Sequence, residues 1–328
     1  MSTSDAASVP VHAAIEAEAH EQPDPNLHGE QSLKPSGRRF SWGRALAWVI
    51  TIGFMLVTLF PFYWMVRTAF SNGALLATEP ASLLPVDFTL GAFKRVLGLG
   101  TGEQAQAQGG SGASVNFWLA LRNSIIIATT ITVGQTLFCA MSAYAFSRLQ
   151  WPGRDVVFGL FLAALFVPPI FTSLPNFVLM NNLGLLNTLP GIILPFLFMT
   201  PFAVFFLRQF FLGISREVEE AAKIDGAGNF RIFFRLIVPM SVAPITTLAI
   251  LTFINAWNEY LWPLLIARDA SAQPLTLALG IFRSQTPGGS PDWPGLMAMT
   301  LLAALPIIVL FVIFGRRVVN SIQFSGIK

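Results

Sequence analysis

Of the 328 residues in this chain, 54% are hydrophobic and only 11% are charged, whereas a soluble domain carries about 25% charged residues. So little charge cannot wrap a folded chain in wetted surface, which excludes a soluble globular fold. The net charge of +3 and an isoelectric point near 9.3 would suit nucleic acid, but the placement of the basic residues gives them a different meaning.

Met1 to Pro35 is rich in Ala, Glu, His and Pro, lacks a sustained apolar pattern, and is expected to be disordered. It is not a secretory signal, because the first apolar run is too long and begins too late. Six runs approach the roughly 20 residues that carry a helix across about 30 Å of hydrocarbon. They are Ala45–Val66, Ser124–Phe146, Val156–Leu174, Leu189–Leu207, Val242–Ile266 and Leu296–Phe314. Pro168, Pro169, Pro175, Pro195 and Pro201 interrupt the third and fourth, so these spans are expected to be bent, either as static kinks or as hinges. The expected class is an all-α integral membrane protein with six transmembrane helices. Its parts are a tail (1–40), the first span with an outer loop (41–115), a five-span core (116–315) containing the loop 208–238, and a terminal tail (316–328).

In the outer loop, Leu90, Phe93, Val96 and Leu97 have helical spacing and predict a short amphipathic helix at the membrane interface. Thr101 to Ser114, rich in Gly, Gln and Ser, reads as a flexible spacer. The loop between the fourth and fifth spans is more structured. Ser215 can cap a helix whose first turn holds Glu217, and Gly226 suits the left-handed residue that ends it. Asn229 can cap a second helix, with Phe230, Phe233, Phe234 and Ile237 as its apolar stripe.

With the N-terminus inside, this topology places Arg67, Lys94, Arg95, Arg122, Arg268 and Arg283 outside and the other 14 of the 20 basic residues inside. That asymmetry obeys the positive-inside rule and predicts both termini in the cytoplasm. The basic balance is therefore a topology signal, and no nucleic-acid partner is expected. His12, His20 and His28 lie in the tail and Cys139 stands alone within a span, so neither a metal nor an intrachain disulfide is expected. No G-x-x-x-x-G-K-[ST] loop is present, so this chain is expected neither to bind nor to hydrolyse ATP, nor to be an enzyme or need a cofactor.

Within the fifth apolar run, Thr252, Asn255, Glu259 and Trp262 follow helical spacing, with Asn258 beside them. Amides and carboxylates bond hydroxyls, and an indole packs on a sugar ring, so the stripe suits a saccharide pathway. It equally suits polar ties between helices.

Glu220-Ala221-Ala222, then Gly226 and Leu236-Ile237-Val238-Pro239, resemble the EAA loop of ABC-importer permeases. That pattern is EAA, three residues, Gly, nine residues, I-x-L-P; Leu236 and Val238 are conservative departures from it. Leu121-Arg-Asn-Ser124, Leu183-Gly-Leu-Leu-Asn-Thr188, Trp257-Asn-Glu-Tyr-Leu-Trp-Pro-Leu264 and the ending Ser325-Gly-Ile-Lys328 are similar to segments of the maltose-type sugar permeases. The resemblance covers roughly Ser41 to the end. It implies a type I importer permease fold in a bacterial inner membrane, forming half of a pore for a sugar or oligosaccharide. The implied partners are a homologous permease chain, a dimer of ATP-binding subunits, an extracytoplasmic solute-binding protein and membrane lipid. It further implies that Glu220, Ala221, Ala222, Asp225 and Gly226 dock on the ATPase. A non-sugar solute, or an ion-coupled secondary transporter using Glu259, are the alternatives.

Overall fold

The computed structural model describes residues 42–76, 78–100, 109–110, 115–285 and 291–323, with side chains as far as 315. The expectations for the N-terminal tail, for most of the Thr101–Ser114 spacer and for the Ser325–Lys328 ending fall outside these residues. All regular structure among the described residues is helical. In chain order the helices are α1 (Trp42–Ala69), α2 (Gly73–Leu76), α3 (Gly91–Val96), α4 (Phe117–Arg148), α5 (Arg154–Phe166, ending in a 3₁₀ turn) and α6 (Pro169–Asn182). Then follow α7 (Leu189–Leu197), α8 (Pro201–Leu212), α9 (Arg216–Ile224), α10 (Asn229–Met240), α11 (Val242–Asn258), α12 (Leu261–Ile266), α13 (Leu275–Ser284) and α14 (Trp293–Gln323).

The chain divides into two compact units with the boundary inside α1, after Thr58. In the first unit, Thr51 and Thr58 turn their hydroxyls back onto the carbonyls of Ala47 and Phe54, each at 2.8 Å. A hydroxyl on an apolar helix satisfies itself in this way without leaving the helix. The second unit holds all the other described elements.

Three helices are long and apolar enough to cross a membrane unbroken: α1, α4 and the Trp293–Gly315 part of α14. Three bent pairs pass the same test when each is taken as one span. They are α5 with α6, bent by 99°, α7 with α8, bent by 44°, and α10 with Val242–Ile266, bent by 82°. Taking each bent pair as one span gives six candidate spans, three straight and three broken, and the third pair bends at Ser241, just ahead of the expected fifth run. Tandem prolines explain the sharpest break. A residue before proline is driven out of the helical region, and Val167 (ψ 114°) and Pro168 (ψ 135°) are both extended ahead of Pro169. Thr200 (ψ 146°) is likewise extended ahead of Pro201. The fifth run breaks where no proline follows, at Glu259 (ψ 125°), before resuming as α12.

Within the second unit α4 is central, packing against α7, α8, α11 and α13, while α11 and α13 also pack on α14. One core, around the Arg148 end of α4, gathers Tyr144, Phe146, Leu207, Phe211, Ile232 and Ile237. Another, at the Phe117 end, gathers Phe117, Trp257, Leu275, Phe282 and Met299. A third lies between α4, α7 and α12, around Ile131, Ile192 and Trp262. Lipid tails are as apolar as these side chains, so close packing and polar ties, more than escape from solvent, must hold such helices together.

The short outer-loop helix forms as α3, but it packs on protein as well as meeting the surface. Gly91, Ala92 and Val96 are buried, and the helix lies against α14. The Arg95 guanidinium grips Asp292 through two bonds, of 3.1 and 2.9 Å. The same carboxylate accepts the Gly295 N–H at 2.8 Å and so caps the start of α14. The spacing of α3 showed its apolar face; a partner 197 residues away cannot be read from that spacing.

Candidate functional site

Two features stand out in the second unit: a cavity inside the bundle and a polar helix projecting at the Arg148 end. The cavity holds about 230 Å³. Its polar lining comes from Ser124 and Gln135 of α4, Thr200 before α8, Thr252 and Asn255 of α11, and Glu259 at the α11 break. The remaining lining is apolar, including Ile131, Phe196 and Leu248. A mostly apolar cavity with a few convergent polar groups is the usual form of a small-molecule site. Glu259 is the one titratable group among the described lining residues.

Several of these polar groups also have structural bonds. Ser124 Oγ accepts the Leu275 N–H at 2.7 Å. Glu259 Oε1 accepts the Trp262 N–H at 3.0 Å, serving a free donor at the start of α12, and the Glu259 carbonyl accepts from Thr276 Oγ1 at 2.8 Å. The structure therefore brings Thr252, Asn255 and Glu259 together on the cavity wall and leaves Asn258 and Trp262 off it. Because α11 ends at Asn258, Trp262 is not on the same helical stripe. It is buried, its indole N–H donates to the Gly191 carbonyl at 3.2 Å, and its ring meets Phe196 edge-on. Gly191 is itself pressed on the preceding turn: a Cβ there would lie 2.1 Å from the Leu185 carbonyl oxygen. Asn258 bonds back to Ile254 O at 2.8 Å. Gln135 and Thr200 also line the cavity. They were missed because isolated polar residues within apolar runs have no pattern to mark them.

The projecting helix is α9. Ser215 is its N-cap and accepts the Glu217 N–H at 3.3 Å. At its other end Ala227 N–H reaches Ala222 O (2.9 Å) and Gly226 N–H reaches Lys223 O (3.0 Å). This bond pair is the Schellman motif, which needs a left-handed residue after the C-cap. Gly226 supplies it, with φ 78°. A Cβ at Gly226 would meet nothing within 4 Å, so the backbone angle, rather than crowding within this chain, calls for glycine. The second helix begins one residue earlier than expected. Gly228 is its N-cap and Asn229 its first helical residue, with no side-chain cap.

Glu220, Ala221, Asp225 and Gly226 are exposed, and Ala222 is half-buried. Between them they form the outward face of α9 and its closing turn, with exposed Ile224 alongside. In the following helix Ile232, Phe233 and Ile237 are buried, whereas Phe230 and Phe234 of the expected stripe are exposed. A π-turn over Phe233–Ile237 widens the helix and changes its phase from there on, whereas Phe230 lies ahead of it.

Sequence reasoning passed over Glu219. It is the one buried residue of α9, and its Oε1 lies 3.1 Å from Arg148 Nε. In the sequence it is indistinguishable in type from its neighbour Glu220. Only helical phase, which puts it on the face shared with Ala222, could have singled it out.

The model of the family described as "Binding-protein-dependent transport system inner membrane component" matches residues 135–323. The arabinooligosaccharides transport system permease protein AraQ of Halalkalibacterium halodurans is 32% identical, over 86% of this chain and 97% of that one. The diacetylchitobiose uptake system permease protein NgcG of Streptomyces coelicolor is 29% identical, over 88% of this chain and 89% of that one. The sn-glycerol-3-phosphate transport system permease protein UgpE of Yersinia pestis is 33% identical, over 84% of this chain and 94% of that one. Among solved structures, a bacterial ABC transporter involved in import of the acidic polysaccharide alginate shares the fold. It has a TM-score of 0.70 and 24% identity, and the match covers 84% of this chain and 95% of that one. The chain belongs to the family of binding-protein-dependent transport system inner membrane components.

Proposed function

We propose that this chain is a permease subunit of an ATP-driven importer for a sugar or oligosaccharide, contributing half of the pore. Two of the relatives above are named for saccharides, and the cavity suits such a solute. Hydroxyls, amides and a carboxylate complement sugar hydroxyls as donors and acceptors. The cavity wall carries Glu259 and no basic group among its described residues, which favours an uncharged saccharide over an anion such as glycerol phosphate.

The observation that carries the coupling role is α9. It is a capped, Schellman-closed helix whose Glu220, Ala221, Asp225 and Gly226 face outward at one end of a bundle that encloses the cavity. Small exposed side chains admit the close approach of another protein surface. In this reading the loop docks on an ATP-binding subunit, a homologous permease completes the pore, and a solute-binding protein delivers the sugar from outside. ATPase closure then pulls on α9 and switches the cavity between its two accesses. The charge asymmetry supports placing α9 and both termini in the cytoplasm.

The test is substitution of Gly226 in the reconstituted complex. Gly226→Phe fills the open space above the turn and strains its left-handed backbone. Gly226→Asn keeps a residue that tolerates that backbone. G226F is expected to insert normally but to lose uptake and solute-stimulated ATPase by more than about tenfold, and G226N to stay much closer to wild type. Normal uptake and stimulation in G226F sink the coupling role.

A further inference from the structure

The helix proposed to receive the pull is held to the bundle by very little. Among the described helices it packs lengthwise against none. Glu219 is its one buried residue, with Ala222 half-buried at the edge of the core. Glu219 meets Arg148, the last residue of α4. Both side chains are almost wholly buried, at 3% and 8% exposure. Arg148 also donates to two carbonyls at and just past the end of α8: Phe211 O, and Ile214 O at 2.7 Å. One guanidinium thus joins α4, the end of α8 and the projecting helix.

The geometry of the pair is specific. Arg148 Nε and Glu219 Oε1 approach to 3.1 Å without the alignment of a hydrogen bond. Opposite charges at that distance in a protein-enclosed site resist separation. Without a fixed hydrogen-bond direction they tolerate changes of angle. Such a contact carries displacement of α9 to the end of α4. What it would move is α4, whose Ser124, Ile127, Ile131 and Gln135 form one wall of the cavity.

We infer that Arg148 and Glu219 are positioning residues that form the joint through which movement of α9 reaches the cavity. This rests on the proposed docking of α9 on an ATPase subunit. Neither residue touches the solute in this account. Glu219 is distinct in task from its exposed neighbour Glu220: one faces the bundle and the other the partner.

The experiment uses the whole complex of this chain with its permease and ATP-binding partners in nanodiscs. The probe is MgATP with vanadate, which traps nucleotide without any knowledge of the sugar. A Gln135→Cys substitution reports on the cavity wall by maleimide labelling, measured per assembled complex. With wild-type Glu219, trapping is expected to change the labelling rate at least fivefold. Glu219→Gln keeps the shape and an acceptor oxygen but removes the charge. It is expected to cut that change below twofold while bound ATPase subunit and trapped nucleotide stay the same. Arg148→Lys keeps the charge and loses the fork that holds two carbonyls, and is expected to fall between the two. A merely structural pair would lower assembly and trapping together with labelling, in proportion, and that result overturns the inference. So does an unchanged labelling response in E219Q, or no response in the wild-type background. If ATPase subunits fail to bind even the wild-type chain, the proposed function fails and the joint with it. If they bind and trap but E219Q behaves as wild type, the joint alone fails.

Discussion

Asn123 is completely buried, and its amide donates to the carbonyls of Ser271 (2.9 Å) and Gln273 (3.1 Å). With Ser124 it clamps the segment before α13 onto α4. Asn123→Ala leaves the Ser271 and Gln273 carbonyls without that donor, a loss of about 1–3 kcal/mol for the two bonds. It is expected to lower the thermal unfolding temperature of the purified protein in detergent. Asn123→Asp presents an acceptor to the same carbonyls and is expected to be worse. Asn187 works similarly: it sits at φ 57° and its side-chain oxygen accepts from the N–H groups of Arg268 (2.7 Å) and Asp269 (3.2 Å). Thr188 next to it caps α7 through Gly191 N at 3.2 Å. These residues were legible in the sequence as matches to a pattern, but their tasks were not, because each bonds to a segment far along the chain. Trp257 shows the same limit. It was part of a segment similar to the maltose-type sugar permeases, and its indole N–H ties α11 to Ala303 O of α14 at 3.2 Å.

At the scale of elements, apolar run length located the six candidate spans, and proline located the bends between α5 and α6 and between α7 and α8. The bend between α5 and α6 follows from Pro168 and Pro169 together, since each bars its predecessor from helical geometry. Replacing one leaves the other to break the helix. Replacing both, as P168A/P169A, is expected to let the two helices approach one continuous rod. Spin labels at exposed Leu160 and Phe171 would then move apart, read as a longer electron–electron distance. An unchanged distance would show that neighbours, rather than the prolines, hold the 99° bend. The break at Glu259 was not legible. There the carboxylate turns to serve the Trp262 N–H, and an acidic residue in an apolar run looks the same whether it caps a helix or faces a pore. The loop was better read: Ser215 and Gly226 each have one strongly preferred position in a helix, whereas the π-turn after them has no such residue signature.

For the whole molecule, charge asymmetry is the sequence feature that orients the bundle. It predicts that the Arg148 end, α9 and the C-terminus share the cytoplasmic side. A fluorescent protein fused after Lys328 is expected to fluoresce, and an alkaline phosphatase fused there to be inactive; the opposite pair of results would invert the topology. The cavity belongs to this scale too. Its polar wall combines Gln135, Thr200 and Asn255, which come from separate stretches of the chain, and only assembly of the helices reveals the group. Thr252, Asn255 and Glu259 were visible beforehand because they share one short segment.

The length of α4 has one further consequence. From Arg122 to Arg148 the helix climbs about 39 Å, more than the roughly 30 Å of hydrocarbon even at the common tilt of about 20°. Both arginines can therefore lie beyond the hydrocarbon, and Arg148, with a side chain only 3% exposed, turns inward there to meet Glu219. The carboxylate then does more than link two helices. It supplies the charge partner of a guanidinium whose other bonds go to two neutral carbonyls, so the last residue of the longest described helix would otherwise be held by dipoles alone.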